Sequence, residues 1–161
     1  MKKSPNLINE KPNVIIIYTD DQGYGDLSSF GSMYIETPNI DTLGAGGAIL
    51  TDFLNASSTC SPSRAALLTG AYPIRTGVNT VLWPEGHGGF GGSKSRGVGL
   101  HPDEVTIAEV LKDNGYATAM TGKWHLGDNP PFLPTKQGFD TYFGIPYSND
   151  MNKEELPLLL N

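Results

Sequence analysis

The 161 residues suffice for one ordinary domain with a hydrophobic core. A net charge of −6 with no basic run longer than Lys2-Lys3 argues against a nucleic-acid footprint, and no apolar stretch reaches the ~20 residues of a membrane-spanning helix. With 20 glycines and 12 prolines the composition points to a loop-rich α/β chain, and the single cysteine excludes an internal disulfide.

Residues 1–12 read as a flexible, polar lead-in without the hydrophobic segment of a secretory signal. The β-branched run from Val14 to Thr19 reads as a strand buried on both faces, ending in Asp20 and Asp21. Thr37 followed by Pro38 marks a helix start, with Thr37 as N-cap, and Gly44, Gly46 and Gly47 stop it. A second strand is expected over 48–54. A short helix follows within the stretch from Cys60 to Gly70, starting near Pro62, with Cys60 at or just before its N-terminus, and stopping at Gly70.

Residues 83–99 carry seven glycines and read as an exposed loop that includes His87. His101 precedes Pro102 at the approach to an amphipathic helix over 103–112, which stops near Gly115. Neither histidine is a candidate ligand. A third strand is expected over 116–121, then irregular structure with one short helix over 128–146. This order of elements predicts a layered α/β fold.

Ligands of such folds bind beyond the carboxyl ends of strands, where three candidate groups fall. Asp20 and Asp21 offer hard oxygens to Ca²⁺ or Mg²⁺, although for the pair alone a solvated turn with an N-capping Asp is the favoured explanation. Cys60 lies where free N–H groups of a helix start favour an anion, and Arg64 lies one turn on along the same face. A guanidinium suits a tetrahedral oxyanion, while the bland alternative is a capped helix with a solvated Arg. Lys123 and His125 share one side of an extended segment, with Trp124 turned into packing. They combine a point charge with a proton acceptor, though such a pair also arises by chance on surfaces. The overall acidity is compatible with an anionic substrate, because a bound metal reverses the local sign.

Taken together, Cys60-Ser61-Pro62-Ser63-Arg64 with Leu68-Thr69-Gly70 resembles the first signature of the type I, formylglycine-dependent sulfatases. Gly122-Lys123-Trp124-His125-Leu126-Gly127 resembles the second signature, and the Val14–Asp21 segment is similar to the family's metal-binding start. Gly138-Phe139-Asp140, with Gly144-Ile145-Pro146-Tyr147-Ser148-Asn149-Asp150, resembles the arylsulfatase A and N-acetylgalactosamine-6-sulfatase branch.

The resemblance implies an alkaline phosphatase-like, mixed and mostly parallel sheet flanked by helices, of which residues 13–161 would be the N-terminal, incomplete part. It implies that a maturation enzyme oxidises Cys60 to formylglycine, whose hydrate attacks a sulfate ester and then expels sulfate as the carbonyl re-forms. Asp20, Asp21 and the modified Cys60 would be Ca²⁺ ligands (Mg²⁺ is the other candidate ion), and Arg64 would hold the diol. Lys123 would contact sulfate, and His125 would accept a proton. Sulfated sugars or aryl sulfates are the expected substrates. Relatives supply a further Asp-Asn pair, a His and a Lys from later sequence, so this chain alone is expected to bind metal poorly and turn over slowly. Two alternatives stand beside it: a phosphatase or phosphodiesterase of the same superfamily, and a non-catalytic remnant.

Overall fold

A strand persists only where its backbone groups find a neighbour, and this decides which expected strands form. The computed structural model describes residues 11–84, 98–151 and 158–160. Most of the lead-in expected over 1–12 lies outside the described residues, as does the loop over 85–97 with His87. The chain divides into two units, Met1–Thr51 and Asp52–Asn161.

In the first unit the run Val14–Thr19 is not part of a sheet. Ile15 and Ile17 are 84% and 81% exposed, so among the described residues the composition of a buried strand is present outside any sheet. Two 3₁₀ turns, Tyr24–Asp26 and Ser28–Phe30, lead to helix α1, Pro38–Ala45. Thr37 occupies the N-cap position, but its side chain does not cap the helix. Its hydroxyl accepts the Ser28 N–H (3.1 Å) and donates to Asp41 (3.1 Å), whose other oxygen accepts from the Ser28 hydroxyl. The Ser28 hydrogen bond, more than any other influence, holds the Asp41 carboxyl below its ordinary range.

The second unit contains helices α2 (Cys60–Thr69), α3 (Pro73–Thr76) and α4 (Ile107–Asp113). The strand expected over 48–54 is instead broken by a turn at Thr51 and Asp52. Helix α4 starts later than expected because Thr106 and Glu109 form a reciprocal capping box. The Thr106 hydroxyl accepts the Glu109 N–H (3.2 Å), and a Glu109 carboxylate oxygen accepts the Thr106 N–H (2.7 Å).

The sheet has the order β1 (Ala119–Lys123), β2 (Thr141–Ile145), β3 (Leu159–Leu160), with β1 and β2 parallel and β3 antiparallel. Strand β2 falls where irregular structure was expected. Gly144 and Pro146 read as breakers, yet Gly144 is accommodated because it pairs with Gly122 across the ladder. A Cβ at Gly144 would stand 1.9 Å from the Gly122 carbonyl oxygen, so the two backbones approach where no side chain fits. Trp124, Leu126, Tyr142, Tyr147, Leu100, Val78 and Ala65 form the core around these strands and α2. Among the described residues, no helix is long and apolar enough to cross a membrane.

Candidate functional site

Helix α2 begins at Cys60 because Thr59 is extended (φ −123°, ψ 154°) and Pro62 falls in the first turn, where an N–H is dispensable. It ends at Gly70, whose left-handed φ of 65° suits glycine. The buried helix start includes Ser61, Pro62, Ser63 and Arg64, while Cys60 is half-buried. Cys60 and Arg64 thus lie one turn apart on a helix whose beginning is packed inside the unit.

From there Arg64 reaches the second candidate segment: its Nη1 donates to the Lys123 carbonyl oxygen. Lys123 closes β1 and pairs with Ile145. Main-chain hydrogen bonds to the same neighbour continue past it, with Trp124 N–H donating to the Ile145 carbonyl (3.0 Å) and His125 N–H to that of Pro146 (2.8 Å). Trp124 packs inward as expected, 1% exposed, with its indole N–H on the Phe132 carbonyl (2.8 Å).

The expectation that 123–125 is extended throughout is corrected at His125, which is left-handed with φ 63°. Its ring is fully buried and meets Tyr147 edge-on at 5.6 Å. His125 Nε2 lies 2.8 Å from the Leu82 carbonyl oxygen. A carbonyl only accepts, so Nε2 carries a proton, and in the neutral form of the ring Nδ1 then carries the lone pair.

Tyr142 braces the same turn. Its hydroxyl lies 2.8 Å from the Ile145 carbonyl and 3.1 Å from that of Gly122. Burial pushes this phenol up to about 12, against the opposing charge of Arg64, so it remains a donor. Asp150 is held below its ordinary value, first by the Ser148 side-chain hydrogen bond, with smaller contributions from Lys123 and His125.

Asp20 and Asp21 lie exposed in the first unit. Asp21 has φ 55°, and among the described residues it shares a positive φ without being glycine only with His125. Such backbones cost of order 1–3 kcal/mol and gather at functional sites. Two carboxylates fall short of the six to eight oxygens Ca²⁺ takes. No group of three His, Cys, Asp or Glu among the described residues could hold a metal. His101 sits in an exposed turn, its Nδ1 accepting the Asp103 N–H (3.2 Å). A cleft of about 540 Å³ at the far end of α2, lined by Tyr72, Arg75 and Glu104 among others, includes none of the candidate residues.

Sequence reasoning identified Cys60, Arg64, Lys123 and His125 but not the groups that orient them. The Leu82 carbonyl and the Tyr142 hydroxyl have no sequence signature, since one is main chain and the other is set by the unforeseen β2.

The mixed sheet flanked by helices, with an anion-favouring helix start beside a strand end, defines an alkaline phosphatase-like α/β fold. The sulfatase family model matches residues 12–160, and the chain belongs to the sulfatase family. It is 51% identical over 142 residues to human arylsulfatase A, covering 86% of this chain and 26% of that protein. It is 46% identical over 138 residues to pig N-acetylgalactosamine-6-sulfatase, covering 85% of this chain and 26% of that protein. The crystal structure of Ps i-CgsB superposes with a TM-score of 0.78 at 41% identity, covering 86% of this chain and 29% of that one. The same protein in complex with k-i-k-neocarrahexaose gives 0.78 at 40% identity, with the same coverage. The chain therefore spans about a quarter of the length of the curated relatives it matches.

Proposed function

We propose that this chain carries the nucleophile half of a sulfate-ester hydrolase, with Cys60 as the precursor of a formylglycine. The observation that carries the reading is the Arg64 hydrogen bond to Lys123, which ties the Cys60 helix to the Lys123–His125 turn. Formylglycine, once formed, supplies a hydrated aldehyde able to attack sulfur and later to release sulfate.

Each neighbouring residue then has one task. Arg64 neutralises negative charge one turn from residue 60 and fixes the Lys123 backbone. Lys123 offers an ammonium to the sulfate oxygens. His125 accepts a proton at Nδ1, because Nε2–H is committed to the Leu82 carbonyl. Asp20 and Asp21 are proposed contributors to a divalent-cation site that two carboxylates do not complete, and no step here depends on it. A sulfated sugar is the proposed substrate class, given the similarity to N-acetylgalactosamine-6-sulfatase and to the neocarrahexaose-bound structure.

Co-expression with a formylglycine-generating enzyme, followed by mass spectrometry of the Cys60 peptide and aldehyde labelling, tests the reading. Conversion of thiol to aldehyde is expected, with none in Cys60→Ala. A thiol that persists under these conditions overturns the formylglycine assignment and favours a phosphatase-like or non-catalytic protein. The 161-residue chain by itself is expected to bind Ca²⁺ weakly and to cleave an aryl sulfate far more slowly than a full-length relative. Calorimetry and a turnover assay check both.

A further inference from the structure

The imidazole that would accept the proton meets, through Nε2, a main-chain carbonyl 43 residues away, in a stretch without regular secondary structure. What holds that stretch is therefore part of how His125 is set. The Leu82 N–H donates to the Ser61 hydroxyl oxygen at 3.0 Å, and the Leu82 carbonyl receives His125 Nε2–H at 2.8 Å. Ser61 and His125 are fully buried, and Leu82 is 5% exposed. Water does not compete for these groups, so an acceptor lost at Ser61 would leave the Leu82 N–H with a desolvation cost.

We propose that Ser61 is a positioning residue for His125, acting through the Leu82 backbone to fix the imidazole's plane and its Nε2–H tautomer. The role depends on the hydrolase reading for its purpose, since His125 needs Nδ1 free of a proton to act as acceptor. It also makes the link short: Ser61 is covalently next to Cys60, so the residue that becomes the nucleophile and the ring that takes its proton share one main-chain bridge. The competing explanation is that Leu82 is held by packing alone, since its side chain belongs to the core. Under that explanation the Ser61 hydroxyl stabilises the fold without affecting His125.

The two explanations differ in a spectroscopic readout. Long-range ¹H–¹⁵N spectra of the full chain report the tautomer of each of the three histidines, with His125 assigned by its loss in His125→Gln. The parent is expected to show the Nε2–H pattern at neutral pH. Ser61→Ala should move His125 toward the averaged pattern of an unconstrained imidazole and raise Leu82 amide exchange about fivefold, the worth of one net hydrogen bond. Ser61→Thr, which keeps the hydroxyl, should retain the parent pattern.

If Ser61→Ala lowers the melting temperature but leaves the His125 pattern as in the parent, Ser61 is structural only and the proposal is overturned. A Ser61→Thr chain with a disturbed pattern overturns it equally, and decides the matter should the alanine variant not fold. The mass of the Cys60 peptide is read in the same samples. Unconverted Cys60 with a responsive His125 removes the hydrolase reading and leaves the coupling standing. Converted Cys60 with an unresponsive His125 does the reverse.

Discussion

Asp20–Asp21 and Lys123–His125 both follow segments that read as strands, but the two units treat those segments differently. In the second unit, β1 has a parallel neighbour, and its carbonyls at Gly122 and Lys123 accept from Tyr142 and Arg64. The turn beyond it is held by Ile145, Pro146 and Leu82. In the first unit, Val14–Thr19 has the stronger strand composition and no place in a sheet. Polar side chains of this unit are joined instead in the Ser28, Thr37 and Asp41 cluster at the start of α1. Composition marks a segment as suited to a sheet, and pre-organisation comes only when neighbours complete its hydrogen bonds.

Amide hydrogen exchange tests this difference between the two segments directly. The amides of Trp124 and His125 should be protected by on the order of 10³-fold more than those of Ile15, Ile16 and Ile17. Equal protection in the two segments would mean that the first unit has sheet pairing of its own, and the contrast would collapse.

A smaller effect is expected where β1 and β2 pair in the second unit. Gly144→Ala places a methyl 1.9 Å from the Gly122 oxygen, where backbone faces backbone and no flexible side chain can yield. The strands must separate, at a cost of about 3 kcal/mol in a denaturant titration. An unchanged midpoint would show that β1 and β2 do not approach as described.

The same glycine explains how far the sequence could be read. Helix α2 was legible because its start and stop are written locally, in Pro62 and Gly70. The family signatures then identified Cys60, Arg64, Lys123 and His125, four residues of the proposed site. Strand β2 was not legible, because Gly144 is favourable only with Gly122 opposite it, and that pairing spans 22 residues. Nor was the Ser61–Leu82–His125 connection, which uses a main-chain carbonyl that any residue would supply. The Thr106-x-x-Glu109 capping box was written in the sequence and would have corrected the start of α4. The strand expected over 14–19 failed for the opposite reason, since a local pattern cannot provide a partner.

The smallest expected effect compares one carboxylate from each unit. Asp140 is held at about 2, against an ordinary 3.8, foremost by its Lys112 partner and then by the Thr118 N–H. Asp41 is lowered too, chiefly by the Ser28 hydroxyl. Both are depressed in the folded state, so each contributes stability that is complete above about 3.8 and fades as pH falls, for Asp140 toward 2. Both tryptophans, Trp83 and Trp124, lie in the second unit, so their fluorescence follows the Asp140 side. The Ser29 amide, which donates to Asp41 at 3.0 Å, follows the other. Lys112→Met should flatten the acid dependence of the tryptophan-monitored unfolding midpoint and leave the Ser29 titration where it was. If Lys112→Met moves both, the two units titrate as one body and must be treated as a single cooperative structure.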